Sequence, residues 1–192
     1  VAVVGPNVST AELQRMHDTG VRGIRLNLAG GAHEAGDWSR AHRLWEALGA
    51  LGWHVELHTD VGALPQVLAW LPAHLPVVLD HMGKPDQVSA HDPTVQAAVH
   101  RSRAGPVHVK LSGAYRLAGR DATQLARLWQ TELGPTQLLW GSDWPVLQLA
   151  ADYRAWWHET RELLADLSAA QQHAVLGGNA RRAYQLTFSF NG

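Results

Sequence analysis

The chain has 192 residues, which is enough for one domain with a sizeable core, and its formal net charge of −1 offers no basic surface to nucleic acid. It contains no cysteine, so disulfides and thiolate metal sites are excluded, and any metal ion would depend on histidine and carboxylate ligands. The apolar stretches are shorter than the roughly 20 residues that a membrane span requires, and residues 1–6 lack the pattern of a signal peptide, so we expect a cytoplasmic protein without membrane contacts.

Short β-rich segments alternate with longer amphipathic segments along the chain, which is the pattern of βα units around a parallel sheet. The six predicted strands are, in chain order, residues 1–4, 21–28, 54–59, 77–81, 107–112 and 138–142. Uninterrupted runs of valine and leucine, as in the fourth segment, are typical of parallel strands that are buried on both faces.

The predicted helices between these strands have recognisable starts. Residues whose side chains cap a first helical turn are Ser9, Asp92, Asp121 and Ser168. Segments 38–51 and 153–167 carry apolar residues at three- and four-residue spacing, so we predict two amphipathic helices whose tryptophans pack in the core.

Polar residues lie at or near the carboxyl ends of the predicted strands: Arg25 and Asn27, His58, His81, Lys110 and Ser112, then Asp143. Two α/β folds fit the alternation, a doubly wound open sheet and a TIM (β/α)₈ barrel, and periodicity alone does not separate them. In a barrel all strand ends meet at one mouth, where active sites are built, so the clustering favours a barrel-like single domain over residues 1–192.

Four segments carry the most specific pattern. They are Gly20-Val-Arg-Gly-Ile-Arg-Leu-Asn27, Val77-Val-Leu-Asp-His-Met-Gly-Lys-Pro85, Val109-Lys-Leu-Ser-Gly-Ala-Tyr-Arg116 and Leu139-Trp-Gly-Ser-Asp-Trp-Pro145. In this order they resemble the amidohydrolase-related family of TIM-barrel hydrolases, particularly its branch of 2-pyrone-4,6-dicarboxylate lactonase-like enzymes, over nearly the whole chain. The resemblance implies that residues 1–4 are the third barrel strand and that residues 138–142 are the eighth. An incomplete barrel of about six strands is therefore expected, without the first two strands and the HxH motif that the family has there.

The resemblance also implies a catalytic set of Asp143, His81 and His58. Asp143 would take a proton from an attacking water or bind a metal that activates the water, and His81 would polarise a carbonyl or ligate the metal. His58 stands where metal-dependent relatives have a ligand and the pyrone lactonase has a tyrosine. The three side chains are a tentative ligand set for one divalent metal such as zinc, but lactonases of this type work without metal, so both alternatives stay open. Asp143 as a helix cap and His81 as a core histidine satisfied by Asp80 are the structural alternatives.

Substrate binding is assigned to Arg116, Arg25 and Tyr115. A guanidinium group meets a carboxylate in two parallel hydrogen bonds, and the lactonase-like enzymes use arginines at the equivalents of Arg116 and Arg25. Structural ion pairs are the alternative for both arginines. Gly31 stands where that lactonase type has a further arginine, and Val146 where it often has a histidine, so the pocket for a dicarboxylate is incomplete and the substrate differs. Lys110 and Trp144 are secondary candidates for orienting the substrate and walling the pocket.

Together these features predict a hydrolase that directs water at a lactone or related carbonyl of a small carboxylated substrate. One alternative is a zinc-dependent decarboxylase on the same fold, and another is a truncated, catalytically inactive barrel. The open sheet edges and a strand-like tail at residues 187–190 also predict a homo-oligomer.

Overall fold

The computed structural model describes residues 1–31, 36–143 and 153–186, with side chains in the last range described from residue 158 onward. Five strands form one sheet in which all neighbours are parallel and the order follows the sequence. They are β1 (Gly23–Asn27), β2 (His54–His58), β3 (Val77–Leu79), β4 (Val107–Leu111) and β5 (Leu138–Trp140). The strand predicted at residues 187–190, together with Trp144 and Val146, lies outside the described residues.

The predicted first strand, residues 1–4, is wrong as a strand: it forms a single parallel bridge between Ala2 and Ile24. Val1 and Val3 are 52% and 77% exposed, so their side chains gain little from burial against the sheet. Ala2 still exchanges backbone hydrogen bonds with Gly23 and Arg25, at 3.0 and 2.8 Å, which places this segment beside β1 as expected. The described sheet therefore has five strands instead of six.

The described residues form eight α-helices, of which the first precedes β1 and the others connect or follow the strands. They are α1 (Thr10–Asp18), α2 (His42–Leu51), α3 (Leu64–Trp70), α4 (Pro93–Arg101), α5 (Ala122–Glu132), α6 (Tyr153–Leu163), α7 (Ala169–His173) and α8 (Asn179–Ala183). All four predicted caps are confirmed, because the side chains of Ser9, Asp92, Asp121 and Ser168 each accept a backbone N–H of the first turn. Among the described residues no helix is long and apolar enough to cross a membrane.

The two faces of the sheet differ in polarity. Residues that face the helices are apolar and join one continuous core; they include Ile24, Leu26, Val55, Leu57, Val77, Leu79, Val107, Val109 and Leu111. The alternate residues on the other face include Arg25, Glu56 and Lys110. The register pairs Arg25 with Glu56, and the Lys110 side chain reaches Glu56 across β3. The helices therefore cover the apolar face, and the polar face becomes the interior of a partial barrel.

Candidate active site

A left-handed turn follows β3 and positions the first candidate residue. His81, Met82, Gly83 and Lys84 have φ of 49°, 56°, 68° and 45° in succession. Each such residue other than glycine costs roughly 1–2 kcal/mol, so the surroundings must hold the turn in place. The buried indole Nε1 of Trp129 donates to the Met82 carbonyl at 3.0 Å, and the Gly62 N–H donates to the Lys84 carbonyl at 3.0 Å.

His81 lies opposite Asp143 at the carboxyl ends of the strands. Its Nε2 is 4.0 Å from Asp143 Oδ1, and its Nδ1 is 3.3 Å from the Ser112 hydroxyl oxygen. The other carboxylate oxygen, Oδ2, accepts from Arg116 Nε at 2.7 Å and from the Tyr115 hydroxyl at 2.5 Å. Asp143 is thereby fixed on one side and keeps its other oxygen directed toward the imidazole.

Gly113 makes this approach possible. It follows β4 with φ +60°, a conformation that side-chain-bearing residues rarely adopt. A Cβ atom there would lie 2.5 Å from His81 Nδ1 and 3.2 Å from Asp143 Oδ2, so a side chain would displace one of the two groups. The short turn Ala114–Arg116 then begins directly after the glycine and carries both hydrogen-bond donors to Asp143.

His58 is next to His81 at the end of β2. The two rings meet edge to face with centroids 5.0 Å apart. His58 Nδ1 is 2.8 Å from Asn27 Oδ1 at the end of β1, and an amide oxygen only accepts, so Nδ1 carries the proton and Nε2 does not. Burial, then the charges of Lys84, His81 and Arg25, lower the pKa of His58 to about 4. The ring is therefore neutral at pH 7.

The protonation states of the facing pair follow from their contacts. Burial lowers the pKa of His81 despite the opposing charges of Asp80 and Asp143, so its imidazole is neutral. Burial alone would raise the pKa of Asp143, but the hydrogen bonds from Arg116 and Tyr115 outweigh it and the pKa is lowered. The site at neutral pH consists of an ionised carboxylate beside two neutral imidazoles.

Arg25 lies one layer deeper, within β1, in a network that we call the charged layer: Arg25, Glu56, Asp80 and Lys110. Arg25 donates twice to Asp80 Oδ2, from Nε at 3.0 Å and from Nη2 at 2.8 Å. The Lys110 ammonium pairs with Glu56 and with Asp80 Oδ1, the latter at 3.0 Å. Asp80 therefore pairs with Arg25 and Lys110. The hydrogen-bond partner of the His81 ring is the Ser112 hydroxyl and not Asp80.

The residues suggested as metal ligands fit a divalent ion poorly. Within the parts of the chain that the structure describes, no three histidine, aspartate or glutamate side chains form a group that could hold a metal ion. One oxygen of Asp143 is already bound by Arg116 and Tyr115. The positive charges of Lys84 and Arg25 act on His58 and oppose a further cation there.

The structure brings Asp143, His81, His58, Arg116 and Tyr115 to one mouth and leaves Arg25 beneath it. Sequence reasoning did not single out Lys84 or Gly113. Both residues lie inside the family-specific segments quoted above. Local sequence shows neither their positive φ nor the close approach of Gly113 to His81 and Asp143. Lys84 is only 7% exposed and stands beside His81 in the left-handed turn.

Comparison with known proteins identifies the family. The model of the amidohydrolase family matches residues 1–186. The 2-pyrone-4,6-dicarboxylate hydrolase of Comamonas testosteroni is 34% identical over 165 residues, which cover 76% of this chain and 52% of that protein. The L-fucono-1,5-lactonase of Burkholderia ambifaria is 35% identical over 189 residues, covering 88% of this chain and 63% of that protein. The chain thus spans between half and two thirds of the length of these relatives.

Solved structures agree on the fold. A protein from Pseudomonas putida described as a 2-pyrone-4,6-dicarboxylic acid hydrolase superposes with a TM-score of 0.77 at 32% identity, over 95% of this chain and 70% of that one. An amidohydrolase from Burkholderia multivorans with bound zinc superposes with a TM-score of 0.74 at 28% identity, over 97% of this chain and 73% of that one. The parallel sheet is accordingly part of a TIM barrel, and the chain belongs to the amidohydrolase family.

Proposed function

We propose that this protein acts as a lactonase: it directs water at the ring carbonyl of a small carboxylated lactone and opens the ring to a hydroxy acid. The facing pair of His81 and Asp143 is the observation that carries this proposal. Two relatives named as a pyrone dicarboxylate hydrolase and a fucono-lactonase support the reaction class. Their names also support a substrate that presents both a lactone ring and polar or anionic substituents.

Asp143 is the base in the proposed mechanism. Its Oδ1 accepts a proton from water while the water oxygen bonds to the carbonyl carbon. Arg116 and Tyr115 hold Oδ2, so the carboxylate does not have to be ordered when the reaction begins. When the ring C–O bond breaks, the departing oxygen takes that proton. One lactone and one water thus give one hydroxy acid.

His81 supplies stabilisation of the oxyanion. If the Ser112 hydroxyl donates to Nδ1, the neutral imidazole carries its proton on Nε2, on the side of Asp143 and the proposed substrate. A hydrogen bond from Nε2 to the developing negative oxygen would then strengthen as the charge forms. His58 presents an unprotonated Nε2 beside it and acts as an acceptor for a water or substrate hydroxyl.

We propose that this reaction needs no metal ion. The described histidine and carboxylate side chains do not form a group that could hold one, and the positive charges of Lys84 and Arg25 act on His58. The zinc in the Burkholderia multivorans structure makes metal content part of the test. A metal bound in stoichiometric amount and required for turnover would favour the decarboxylase alternative.

We further propose that residues 1–192 act as one cytoplasmic domain and that the protein forms a homo-oligomer. The continuous apolar core along the sheet supports the single domain. Light scattering tests the oligomer, and a well-behaved monomer at micromolar concentration would count against it.

The decisive test measures lactone hydrolysis by the wild type and Asp143→Asn, on protein purified without chelator and analysed for metal by mass spectrometry. We expect the substitution to lower kcat about 10³-fold, because general-base catalysis contributes of this order. Asp166→Asn is the matched control, since that carboxylate is 51% exposed and pairs only with Arg127 at the surface among the described residues. Full activity in Asp143→Asn, or no lactone hydrolysis by the wild type, would refute the proposal.

A further inference from the structure

Lys84 is one of only two lysines in the chain, and it lies at the mouth of the candidate site. It ends the left-handed turn that begins at His81, and its N–H donates to the His81 carbonyl at 3.2 Å. Residues that close a turn in this way lie on the same side of it, so Lys84 accompanies His81 into the mouth. The charges that act on Lys84 are those of Asp60, Arg116, Asp80 and Arg25, which include one residue of the mouth and two of the charged layer.

Lys84 differs from the other cations of the site, because it has no partner within the part of the chain that the structure describes. Arg25 and Lys110 each contact the carboxylate of Asp80, and Arg116 contacts Asp143. Among the residues that the structure describes, none forms an ion pair or a hydrogen bond with the Lys84 ammonium. The charge of Asp60 also acts on Lys84, but Asp60 Oδ2 accepts the N–H groups of Gly30 and Gly31 at 2.9 and 3.0 Å.

The Lys84 side chain is nearly buried, and its ammonium has no acidic partner among the described residues. This placement is unfavourable, because burial weakens the hydration of a cation and no opposite charge replaces it. The backbone conformation of Lys84 adds to this cost, since φ is +45°. Groups that remain unsatisfied and strained in this way cluster at binding sites, where a ligand completes them. The ligand that completes such an ammonium is an anion.

We propose that Lys84 is the residue that binds the carboxylate of the lactone substrate. The inference rests on the proposed lactonase function and deepens it, because it assigns the carboxylate to Lys84 in place of Arg25. Two of the three guanidinium nitrogens of Arg25, Nε and Nη2, already donate to Asp80. Lys84 is then a specificity-determining residue that selects lactones bearing a carboxylate near the scissile carbonyl.

The first test measures anion binding without turnover, with citrate as the carboxylate probe. Citrate should slow acetylation of Lys84 by acetic anhydride in the folded wild type, read by peptide mass spectrometry. Lys110 is the internal control, because it is paired with Glu56 and Asp80 below the mouth. Calorimetry on Lys84→Met should show citrate affinity reduced about 10- to 100-fold, the loss expected for one hydrogen bond to a charged group.

Two further variants separate a direct contact from a change in net charge. Lys84→Arg restores the cation and should recover most of the citrate affinity. Arg127→Met removes one positive charge from a side chain that is 54% exposed, and it should bind citrate as the wild type does. Equal citrate affinity in Lys84→Met and wild type, unprotected acetylation of Lys84, or no citrate binding by the wild type would each overturn the proposal.

Kinetics then distinguishes this inference from the proposed function itself. For a carboxylated lactone, Lys84→Met should raise KM about 10- to 100-fold with a smaller change in kcat, and the preference for that lactone over an uncharged one should fall by a similar factor. Wild-type hydrolysis with no change in this preference would overturn the role of Lys84 and leave the lactonase proposal standing. Citrate protection of Lys84 without any lactone hydrolysis would support the anion site and refute the lactonase reaction.

Discussion

The charged layer and the mouth above it use the same residue types in different ways. In the layer, Arg25 and Lys110 each meet a buried carboxylate, and Asp80 is shared between them. At the mouth, His58 and Asp143 are each held by hydrogen bonds on one side and, among the described residues, accept none on the other. Polar side chains that pair with one another thus hold the barrel interior together. Polar side chains that are only partly paired are available to a substrate.

Breaking the layer should have the largest effect on stability. Lys110→Met removes the cation that Glu56 and Asp80 share and leaves two neighbouring carboxylates, each 7% exposed or less, with Arg25 alone. Removing one member of a buried ion network typically costs about 3–5 kcal/mol, so we expect a loss of this size in the free energy of unfolding, measured in urea.

A second substitution tests whether this loss comes from the unpaired carboxylate. Lys110→Met combined with Glu56→Gln should be less destabilised than the sum of the two single variants, because the pair interacts directly. Arg127→Met breaks an exposed pair with Asp166 and should cost less than about 1 kcal/mol. Additive effects at Lys110 and Glu56 would mean that the layer contributes packing instead of charge pairing.

Distorting the mouth should reduce activity while leaving the layer intact. Gly113→Ala places a Cβ 2.5 Å from His81 Nδ1, so the imidazole or Asp143 must move. Displacing reacting groups by a fraction of an ångström to one ångström costs up to about 10²-fold in rate, and we expect a loss of this order in kcat. Gly119→Ala is the matched control, because Gly119 has φ +81° and nothing within 4 Å of an added Cβ. Equal loss of activity in both variants would attribute the effect to backbone strain alone.

The same comparison shows how far the sequence predicts this molecule. The polar residues at the carboxyl ends of the predicted strands predicted one mouth, and His58, His81 and Asp143 lie together there, because parallel strands end at the same edge of the sheet. The sequence pattern did not separate the charged layer from the mouth. The depth of a side chain in the barrel interior depends on the register between strands and on Asp80, which lies beyond the end of β3. Local sequence therefore indicates at which end of the sheet a polar residue lies, but it does not indicate the residue with which it pairs.

Backbone strain limited the prediction at the mouth itself. His81 and Asp143 were found through the family motifs, yet both have positive φ, which is uncommon for residues other than glycine and is not visible in the sequence. Lys84 was missed because its position depends on three preceding residues in the same left-handed conformation. Such a turn is stabilised by distant contacts, including the Trp129 indole, and these are tertiary facts that no local propensity contains.

The amino end of the strands offers the smallest predicted effect and a third type of polar residue. His54 at the start of β2 is 2% exposed, and neither of its ring nitrogens has a hydrogen-bond partner among the described residues. Its ring packs edge to face on Tyr184, with centroids 4.6 Å apart, and fills the space that a side chain at Gly23 would need. His54 is therefore packed as if it were an aromatic hydrocarbon.

This packing predicts a stability that depends on pH. Burial, then the charge of Lys110, lowers the pKa of His54 from 6.5 to about 4, so the unfolded chain binds a proton at this residue more readily than the folded one. The contribution of the neutral His54 ring to the free energy of unfolding is complete above pH 6.5 and is lost as the pH falls toward 4. We expect the loss to be about 2 kcal/mol between pH 7 and pH 5. His54→Phe keeps the ring and removes the titration, so its unfolding free energy should decline less over this range than that of the wild type, measured in urea at each pH. His100 is exposed, so His100→Phe should show the same decline as the wild type. A parallel decline in His54→Phe would show that His54 is hydrated or paired in solution. The amino end of the barrel would then be as open to water as the mouth.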